Sequence, residues 1–229
     1  TGASSGIGEA LARQLAATEK QTLVLVARRE EKLLALAEEL TKAHSIRIEI
    51  ICQDLELPGG ASSLMNAITA RGLSVDTLIN NAGFGINDPF ADMPLDRIQG
   101  MMQLNMVALT ELSHAVLPGM RQRQQGRIMN ISSVAAFQAC PRFAVYGASK
   151  AYVLMFTEAL AAEERKNGLR ISAVCPGATA TEFHTLAGNH GTFAAKLMDS
   201  PETVTRSAIA ALNAGQSVVV TGLLNKPLP

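Results

Sequence analysis

The 229-residue chain is 48% apolar and 17% charged, and its 20 basic side chains balance its 20 acidic ones. This composition excludes a disordered polymer, favours a well-covered core and argues against a nucleic-acid partner. No stretch approaches the roughly 20 apolar residues that span a bilayer, so no membrane span is predicted. The cysteines, Cys52, Cys140 and Cys175, are odd in number and widely spaced, which favours a reducing, cytoplasmic location.

Hydrophobic periodicity predicts helices and strands that alternate along the chain. The predicted helices cover residues 7–17, 30–43, 60–71, 95–122, 146–167 and 201–214, and the predicted strands cover 22–27, 47–52, 75–80, 126–131, 170–175 and 217–220. Such alternation predicts an α/β fold, with a doubly wound parallel sheet flanked by helices, in a single domain over residues 1–229. The histidines show no metal-ligand spacing, so no metal site is predicted.

A glycine-rich turn, TGASSGIG, leads into the first predicted helix. Glycines let backbone N–H groups approach a ligand, and the partial positive charge of a helix N-terminus suits a pyrophosphate. A glycine-rich connector is the alternative for such a turn alone, but the strand that follows favours a dinucleotide-binding unit. The predicted cofactor contacts in this turn are Gly2, Ser4, Ser5, Gly6, Ile7 and Gly8.

The end of the next strand indicates which cofactor is preferred. Proteins that prefer NAD place an acidic residue there, whereas this chain has Ala27 followed by Arg28 and Arg29. A guanidinium can bind a 2′-phosphate through paired hydrogen bonds, so NADP is predicted, with NAD still possible. The alternative is that both arginines form a solvated start to the following helix.

Tyr146 and Lys150 stand four residues apart on a predicted helix. Positions i and i+4 share one helical face, so the ammonium can lie beside the phenol. A nearby positive charge favours the phenolate and lowers a tyrosine pKa from its usual value of about 10, which predicts a general acid. A half-buried tyrosine beside a solvated lysine is the alternative.

Further motifs follow in a recognisable order: Asn80-Asn81-Ala82-Gly83, Asn105, Ser133 and Pro176-Gly177. With the turn and the Tyr–Lys pair, they resemble the short-chain dehydrogenase/reductase family in its single-domain, Rossmann-type form. The resemblance runs from Thr1 to about Gly222. It implies an NADP-dependent oxidoreductase that interconverts a small-molecule carbonyl and alcohol by hydride transfer; the alternative is an NADP-sensing or scaffold protein without turnover.

The resemblance also implies residue roles. Tyr146 would exchange a proton with the substrate, Lys150 would lower the phenol pKa and hold the cofactor ribose, and Ser133, rather than Ser132, would bind the substrate oxygen. Asn105 would kink its helix and support a water and a proton relay behind Lys150, unless it is a solvent-facing helical residue. Further implied cofactor contacts are Asp54, which could instead cap a turn, and Leu55, Asn81, Ala82, Gly83, Pro176, Gly177, Thr179 and Thr181, of which 81–83 could be a plain strand exit.

Apolar residues are predicted to border the substrate beside Ser133 and Tyr146: Phe137, Cys140, Phe143 and Phe183. This lining, with a substrate loop over residues 182–200, favours a hydrophobic carbonyl or alcohol, although the aromatics could simply pack the loop. A ketoacyl compound, a steroid and a general xenobiotic ketone all remain open. The resemblance further implies a homodimer or homotetramer formed by the helix around Asn105 and the helix of Tyr146.

In the family, a strand precedes the glycine-rich turn and lies in the middle of the sheet. Without it, two neighbouring strands would have unpaired backbone groups. We therefore expect the complete protein to begin several residues earlier. The tail that follows Val220 in this chain is also short compared with the family.

Overall fold

A computed structural model describes residues 1–182 and 198–222. The helices are α1 (Gly6–Thr18), α2 (Glu30–His44), α3 (Gly60–Ala70), α4 (Leu95–Met102), α5 (Leu109–Arg123), α6 (Ala144–Glu164) and α7 (Pro201–Asn213). The strands are β1 (Leu23–Ala27), β2 (Ile48–Cys52), β3 (Thr77–Asn80), β4 (Gly126–Ile131), β5 (Leu169–Cys175) and β6 (Val218–Val220). The predicted helix over 95–122 is interrupted, because a π-helical turn, Gln103–Ala108, joins α4 to α5.

The strands are parallel and helices flank them, which confirms the predicted α/β fold. They form two groups, β1–β2 and β3–β4–β5–β6. The central strands β4 and β5 are buried almost throughout, as expected for strands covered on both faces. In α2, Leu33, Leu36 and Leu40 recur at helical spacing and pack in the core that covers β1.

An apolar slot of about 530 Å³ separates β1 from β3. Leu11, Leu64 and Leu112, from the helices on the two faces of the sheet, are among the residues that line it. The first residues of the chain cross one end of the slot, where the Ala3 amide donates to the Val26 carbonyl at 3.2 Å and the Thr1 nitrogen donates to the Ile79 carbonyl at 2.8 Å. The slot thus lies where the family resemblance implies a central strand.

Candidate active site

Ser133 and Tyr146 meet beyond the carboxyl end of β4, where parallel α/β sheets commonly bind ligands. Ser133 begins a short 3-10 turn, in which its Oγ accepts from the Ala135 amide at 3.2 Å, and its side chain hydrogen-bonds Tyr146. Ser132 is buried instead and donates to the Lys150 carbonyl at 2.7 Å. The structure therefore places Ser133, and not Ser132, beside the tyrosine.

The environment of Tyr146 differs from the sequence prediction. The residue keeps some accessible surface, but burial of its phenol raises the pKa to about 12, against a lowering effect of the Ser133 hydrogen bond. The Phe143 ring adds to this burial by packing edge-on at 5.6 Å between ring centroids. The predicted lowering of the phenol pKa by Lys150 is wrong, because burial outweighs the hydrogen bond from Ser133 and sets the direction of the shift. At neutral pH the phenol keeps its proton and can donate it.

Lys150 is only 6% exposed, so the alternative of a solvated lysine is also wrong. Its Nζ donates to the Ile131 carbonyl at 2.9 Å and lies 5.7 Å from the centroid of the Tyr146 ring. Burial lowers the Lys150 pKa to about 8, because the ammonium loses its hydrating water and the surrounding groups do not fully replace it. The ammonium therefore stands beside the tyrosine, and none of the described carboxylates is hydrogen-bonded to it.

Asn105 lies inside the π-helical turn and is 1% exposed, which excludes a solvent-facing role. Its Nδ2 donates to the Phe84 carbonyl and to Ser149 Oγ, each at 3.0 Å, and its Oδ1 accepts from the Phe84 amide at 3.2 Å. Gly83 passes close by, since a Cβ there would lie 3.0 Å from Asn105 Oδ1 and 3.5 Å from Lys150 Nζ. Asn105 and Lys150 thus both lie beside the backbone of Gly83. A π-helical turn at this position is typical of functional sites.

Sequence reasoning missed Ser149, which connects two predicted residues. Its Oγ accepts from Asn105 and donates to the Tyr146 carbonyl at 2.7 Å. Its position three residues after Tyr146 was the available signal, because that spacing returns to nearly the same helical face.

The glycine-rich turn presents an open helix terminus. Ser5, the N-cap of α1, makes no side-chain cap, so backbone N–H groups of the first turn are left for a ligand. The turn is compact: a Cβ on Gly8 would lie 2.2 Å from the Gly2 carbonyl oxygen. Asn81 holds it in shape, because its Nδ2 donates to the carbonyls of Thr1 at 3.1 Å and Gly2 at 3.3 Å. The amide of Ala82 is also used internally, since it donates to Thr1 Oγ1 at 3.1 Å.

Arg29 is tied to this turn and does not form a merely solvated helix start. Its guanidinium donates to Ser4 Oγ at 3.1 Å, to Ser5 Oγ at 2.9 Å and to Glu182 at 2.9 Å. Arg28 points elsewhere and pairs with Glu56 at 3.1 Å.

Asp54 caps a turn, which was the alternative to a cofactor contact. Its Oδ1 accepts from the Glu56 amide at 2.9 Å, and its Oδ2 lies 3.8 Å from Arg28. Leu55 is 5% exposed and its side chain belongs to the core, so only its backbone could meet a cofactor.

The segment after β5 returns to the start of α1. The Pro176 carbonyl accepts from the Val134 amide at 3.0 Å, and the Thr179 hydroxyl donates to the Gly177 carbonyl at 3.0 Å. Thr179 is 4% exposed, so its side chain serves its own loop. Thr181 lies against α1, because a Cβ on Gly6 would be 3.0 Å from its side chain.

Part of the predicted substrate lining surrounds Tyr146. Phe143 packs on the tyrosine ring, and Cys140 lies near the next residue, Gly147, where an added Cβ would be 3.7 Å away. Phe137 is 56% exposed and adds an open apolar face to the same segment. Phe183 and most of the predicted substrate loop lie outside the described residues.

The donor groups fit a dinucleotide phosphate. An uncapped helix terminus, a compact glycine turn and a guanidinium held over two serine hydroxyls can bind phosphate oxygens, and Lys150 donates to the Ile131 carbonyl. Among the described residues, no cluster of His, Cys, Asp or Glu could hold a metal, and no helix is long and apolar enough to cross a membrane. Fold and site together define a nucleotide-binding α/β protein in which a partly buried Tyr–Ser pair lies beside a buried lysine.

The comparisons make this class more specific. The short chain dehydrogenase family model matches residues 1–190, and the chain belongs to that family. It is 34% identical over 215 residues to the very-long-chain 3-oxoacyl-CoA reductase of Anas platyrhynchos, covering 91% of this chain and 66% of that protein. A short-chain dehydrogenase from Sphingobium yanoikuyae in complex with NADPH has a TM-score of 0.88 and 32% identity, covering 96% of this chain and 85% of that one.

One relative has a different description. The inactive hydroxysteroid dehydrogenase-like protein 1 of Homo sapiens is 30% identical over 214 residues, covering 93% of this chain and 64% of that protein. The chain therefore spans about two thirds of the length of the curated relatives reported above.

Proposed function

We propose that this protein is an NADP-dependent oxidoreductase that interconverts a carbonyl and an alcohol, with Tyr146 as the general acid and base. The observation that carries the proposal is the convergence of Ser133, Tyr146, Lys150 and Asn105 around one point at the sheet edge. A protein that only bound the nucleotide would not need this set. The relatives named as a reductase and a dehydrogenase support the same activity.

The chain's own residues have distinct tasks in this proposal. The bound cofactor supplies or accepts a hydride. Tyr146 holds a proton on its phenol and releases it to the substrate oxygen during reduction, while Ser133 orients that oxygen. Lys150 brings a positive charge that favours the phenolate formed when the proton leaves. Asn105 holds the neighbouring backbone, through Phe84, in the position that Lys150 requires.

Arg29 supports a preference for NADP over NAD. Its guanidinium lies over the hydroxyls of Ser4 and Ser5 at the glycine-rich turn, where those donors together form a site for a phosphate monoester. The neighbouring structure solved with NADPH agrees with NADP binding. The apolar surroundings of Tyr146, with Phe143, Cys140 and Phe137, favour a hydrophobic substrate.

A homo-oligomer forms part of the proposal. Met102 in α4, Val107 in the π-turn and Met155 in α6 are 42%, 41% and 61% exposed, and these three elements contact one another, so we take their exposed apolar side chains as the interface surface. A two-fold axis would bury this surface against its copy. Light scattering on a sizing column tests it: Met155→Lys should shift a dimer or tetramer towards the monomer. We also propose a cytoplasmic location, which the free cysteines Cys52, Cys140 and Cys175 support.

The activity is tested by following NADPH absorbance across a panel of aldehydes and ketones, with NADH alongside. Tyr146→Phe should reduce kcat/KM by about 10²- to 10⁴-fold, because the proton donor is lost while the ring remains. Tyr152→Phe is the matched control, since Tyr152 lies on the same helix and its hydroxyl meets Thr110 at 2.9 Å. Equal turnover in wild type and Tyr146→Phe would contradict the assigned mechanism.

A non-catalytic NADP-binding role is the second candidate, favoured by the relative named as inactive. NADPH binding with no turnover on any carbonyl of the panel would support it over the oxidoreductase.

A further inference from the structure

Glu182 occupies the cationic site at the start of α2. Its two carboxylate oxygens are shared between Arg29 Nη1 at 2.9 Å and Lys32 Nζ at 2.8 Å. The same Arg29 guanidinium donates through Nη2 to Ser4 Oγ and Ser5 Oγ. A carboxylate therefore stands in the described structure at the donors to which the proposed function assigns the 2′-phosphate.

The contact links segments that are distant in sequence. Glu182 follows β5, whereas Arg29 and Lys32 belong to the β1–α2 connection, 153 and 150 residues away along the chain. Thr181, the residue before Glu182, lies against Gly6 of α1, and the two ion pairs of Glu182 add to this contact between the segments. Glu182 also lines, with Ser5 and Thr181, a cavity of about 680 Å³ at the N-terminus of α1.

We propose that Glu182 is a specificity-determining residue: it competes internally for Arg29 and Lys32, and only a cofactor that carries a 2′-phosphate displaces it. This inference rests on the proposed NADP-dependent function and deepens it. A phosphate monoester brings more negative charge and more acceptor oxygens than a carboxylate, and the rest of the cofactor delivers it at a high effective concentration. Free small anions are not delivered by a larger ligand, so they do not displace Glu182 from Arg29 and Lys32.

The surrounding charges explain why competition matters. The Arg28 guanidinium pairs with Glu56 and Asp54, away from the glycine-rich turn. Arg29 and Lys32 are therefore the cations that face the turn. The described ion pairs of both cations are with Glu182. Lys32 and Arg29 lower the Glu182 pKa to about 2, so the carboxylate stays charged at neutral pH and is released by exchange with another anion, without protonation.

Calorimetric titration of wild type and Glu182→Gln tests the proposal with two ligand pairs. NADPH and adenosine 2′,5′-bisphosphate carry the 2′-phosphate, whereas NADH and adenosine 5′-monophosphate lack it. We expect Glu182→Gln to bind the first two roughly three- to ten-fold more tightly, as expected for the loss of two partly exposed ion pairs. The binding of NADH and the monophosphate should not change. The gain should shrink as salt increases, because screening weakens both competitors.

Glu38→Gln is the matched control. Glu38 lies on α2, the helix of Lys32, and like Glu182 it pairs with a lysine: Lys42 is 2.6 Å away, on the far, solvated part of the helix. The same charge change there should leave all four affinities as in wild type. In an Arg29→Ala/Lys32→Ala background, Glu182→Gln should lose its effect, since the groups for which it competes are gone.

The outcomes separate this inference from the proposed function. Unchanged or weaker NADPH binding in Glu182→Gln overturns the competition, and so does an equal gain for NADH and NADPH. Failure of wild type to bind either dinucleotide overturns the proposed function itself.

Discussion

Lys150 carries a buried ammonium whose charge should be visible in protein stability. Its pKa is lowered from 10.5 to about 8 in the folded chain, so between these values the unfolded state binds more protons than the native state. The free energy of unfolding therefore rises with pH across this window, by up to ~3 kcal/mol from this group. Below pH 8 the ammonium is charged in both states and its burial penalty is fully present.

Lys150→Met should remove this pH dependence. Urea unfolding from pH 7 to 10.5 measures it, as the difference between wild type and the variant. The difference is needed because Tyr146 and Cys175, whose pKa values burial raises to about 12 and 11, change stability in the opposite sense. A constant difference across the range would show that burial does not lower the Lys150 pKa, because the residue would then bind its proton equally in the folded and unfolded states.

Gly8 should tolerate no side chain. A Cβ there would lie 2.2 Å from the Gly2 carbonyl oxygen, which belongs to the backbone and cannot move away without opening the turn. Gly8→Ala should lower the free energy of unfolding by ~2 kcal/mol or more, as measured by thermal or urea unfolding, and weaken NADPH binding.

Gly119→Ala makes the same change inside α5. Its Cβ would meet the flexible end of Arg123 at 3.2 Å, so the better helix propensity of alanine should stabilise the protein by ~0.5–1 kcal/mol. Equal effects of the two substitutions would contradict the close approach at Gly8.

Residue positions were predictable where spacing along the chain decides them. Ser133 was preferred over Ser132 by its distance along the chain from Tyr146, and the structure places it against that side chain. The pKa of Tyr146 was mispredicted, because burial is a tertiary property that the helical spacing of Lys150 does not report. The internal bonds of Asn81 and Thr179 were equally invisible, since they depend on which way a short loop turns.

At the scale of elements, the alternation of helices and strands was predictable because each strand forms a short apolar run between amphipathic helices. The break at Asn105 was expected from the family resemblance, which implies a kink there, but it did not follow from the apolar periodicity. Its cause is the set of side-chain bonds from Asn105 to Phe84 and Ser149, which join three separate segments. Apolar periodicity continues through the π-turn and gives no sign of the extra residue.

The β1 edge of the slot should be visible in hydrogen exchange. Leu25 and Val26 are 3% and 4% exposed, yet their backbone N–H and C=O groups point to opposite sides of β1. Leu25 pairs with β2, whereas the Val26 carbonyl faces the slot, where it accepts from Ala3. The Val26 amide should exchange at least ~10-fold faster than the Leu25 amide in NMR-detected exchange. Similar protection of both would mean that the slot backbone is paired.

At the scale of the whole molecule, the slot should accept an additional strand. Thr1 and Ala3 bond to Ile79 and Val26 near the carboxyl ends of β3 and β1, so a segment running into Thr1 would lie parallel to both strands. A fused segment of about six β-branched residues should raise the melting temperature by ~5–10 °C, because it pairs both edges and fills an apolar cavity.

A glycine–serine segment of the same length is the control, since it can reach the slot without filling it. Calorimetry compares the two fusions. Equal melting temperatures would show that the slot does not take a strand.

The slot divides the proposed cofactor site as well as the sheet. Arg29 follows β1 on one side, whereas Tyr146 and Lys150 belong to the β4–α6 side. Between these sides, the described strands share no ladder of hydrogen bonds. A dinucleotide that reaches from the guanidinium to the buried lysine would therefore fasten two halves of the molecule together. The two sides already share a hydrophobic core, in which Val26 and Ile51 cluster with Ile128 and Ile171, so NADPH should raise the melting temperature of one common transition.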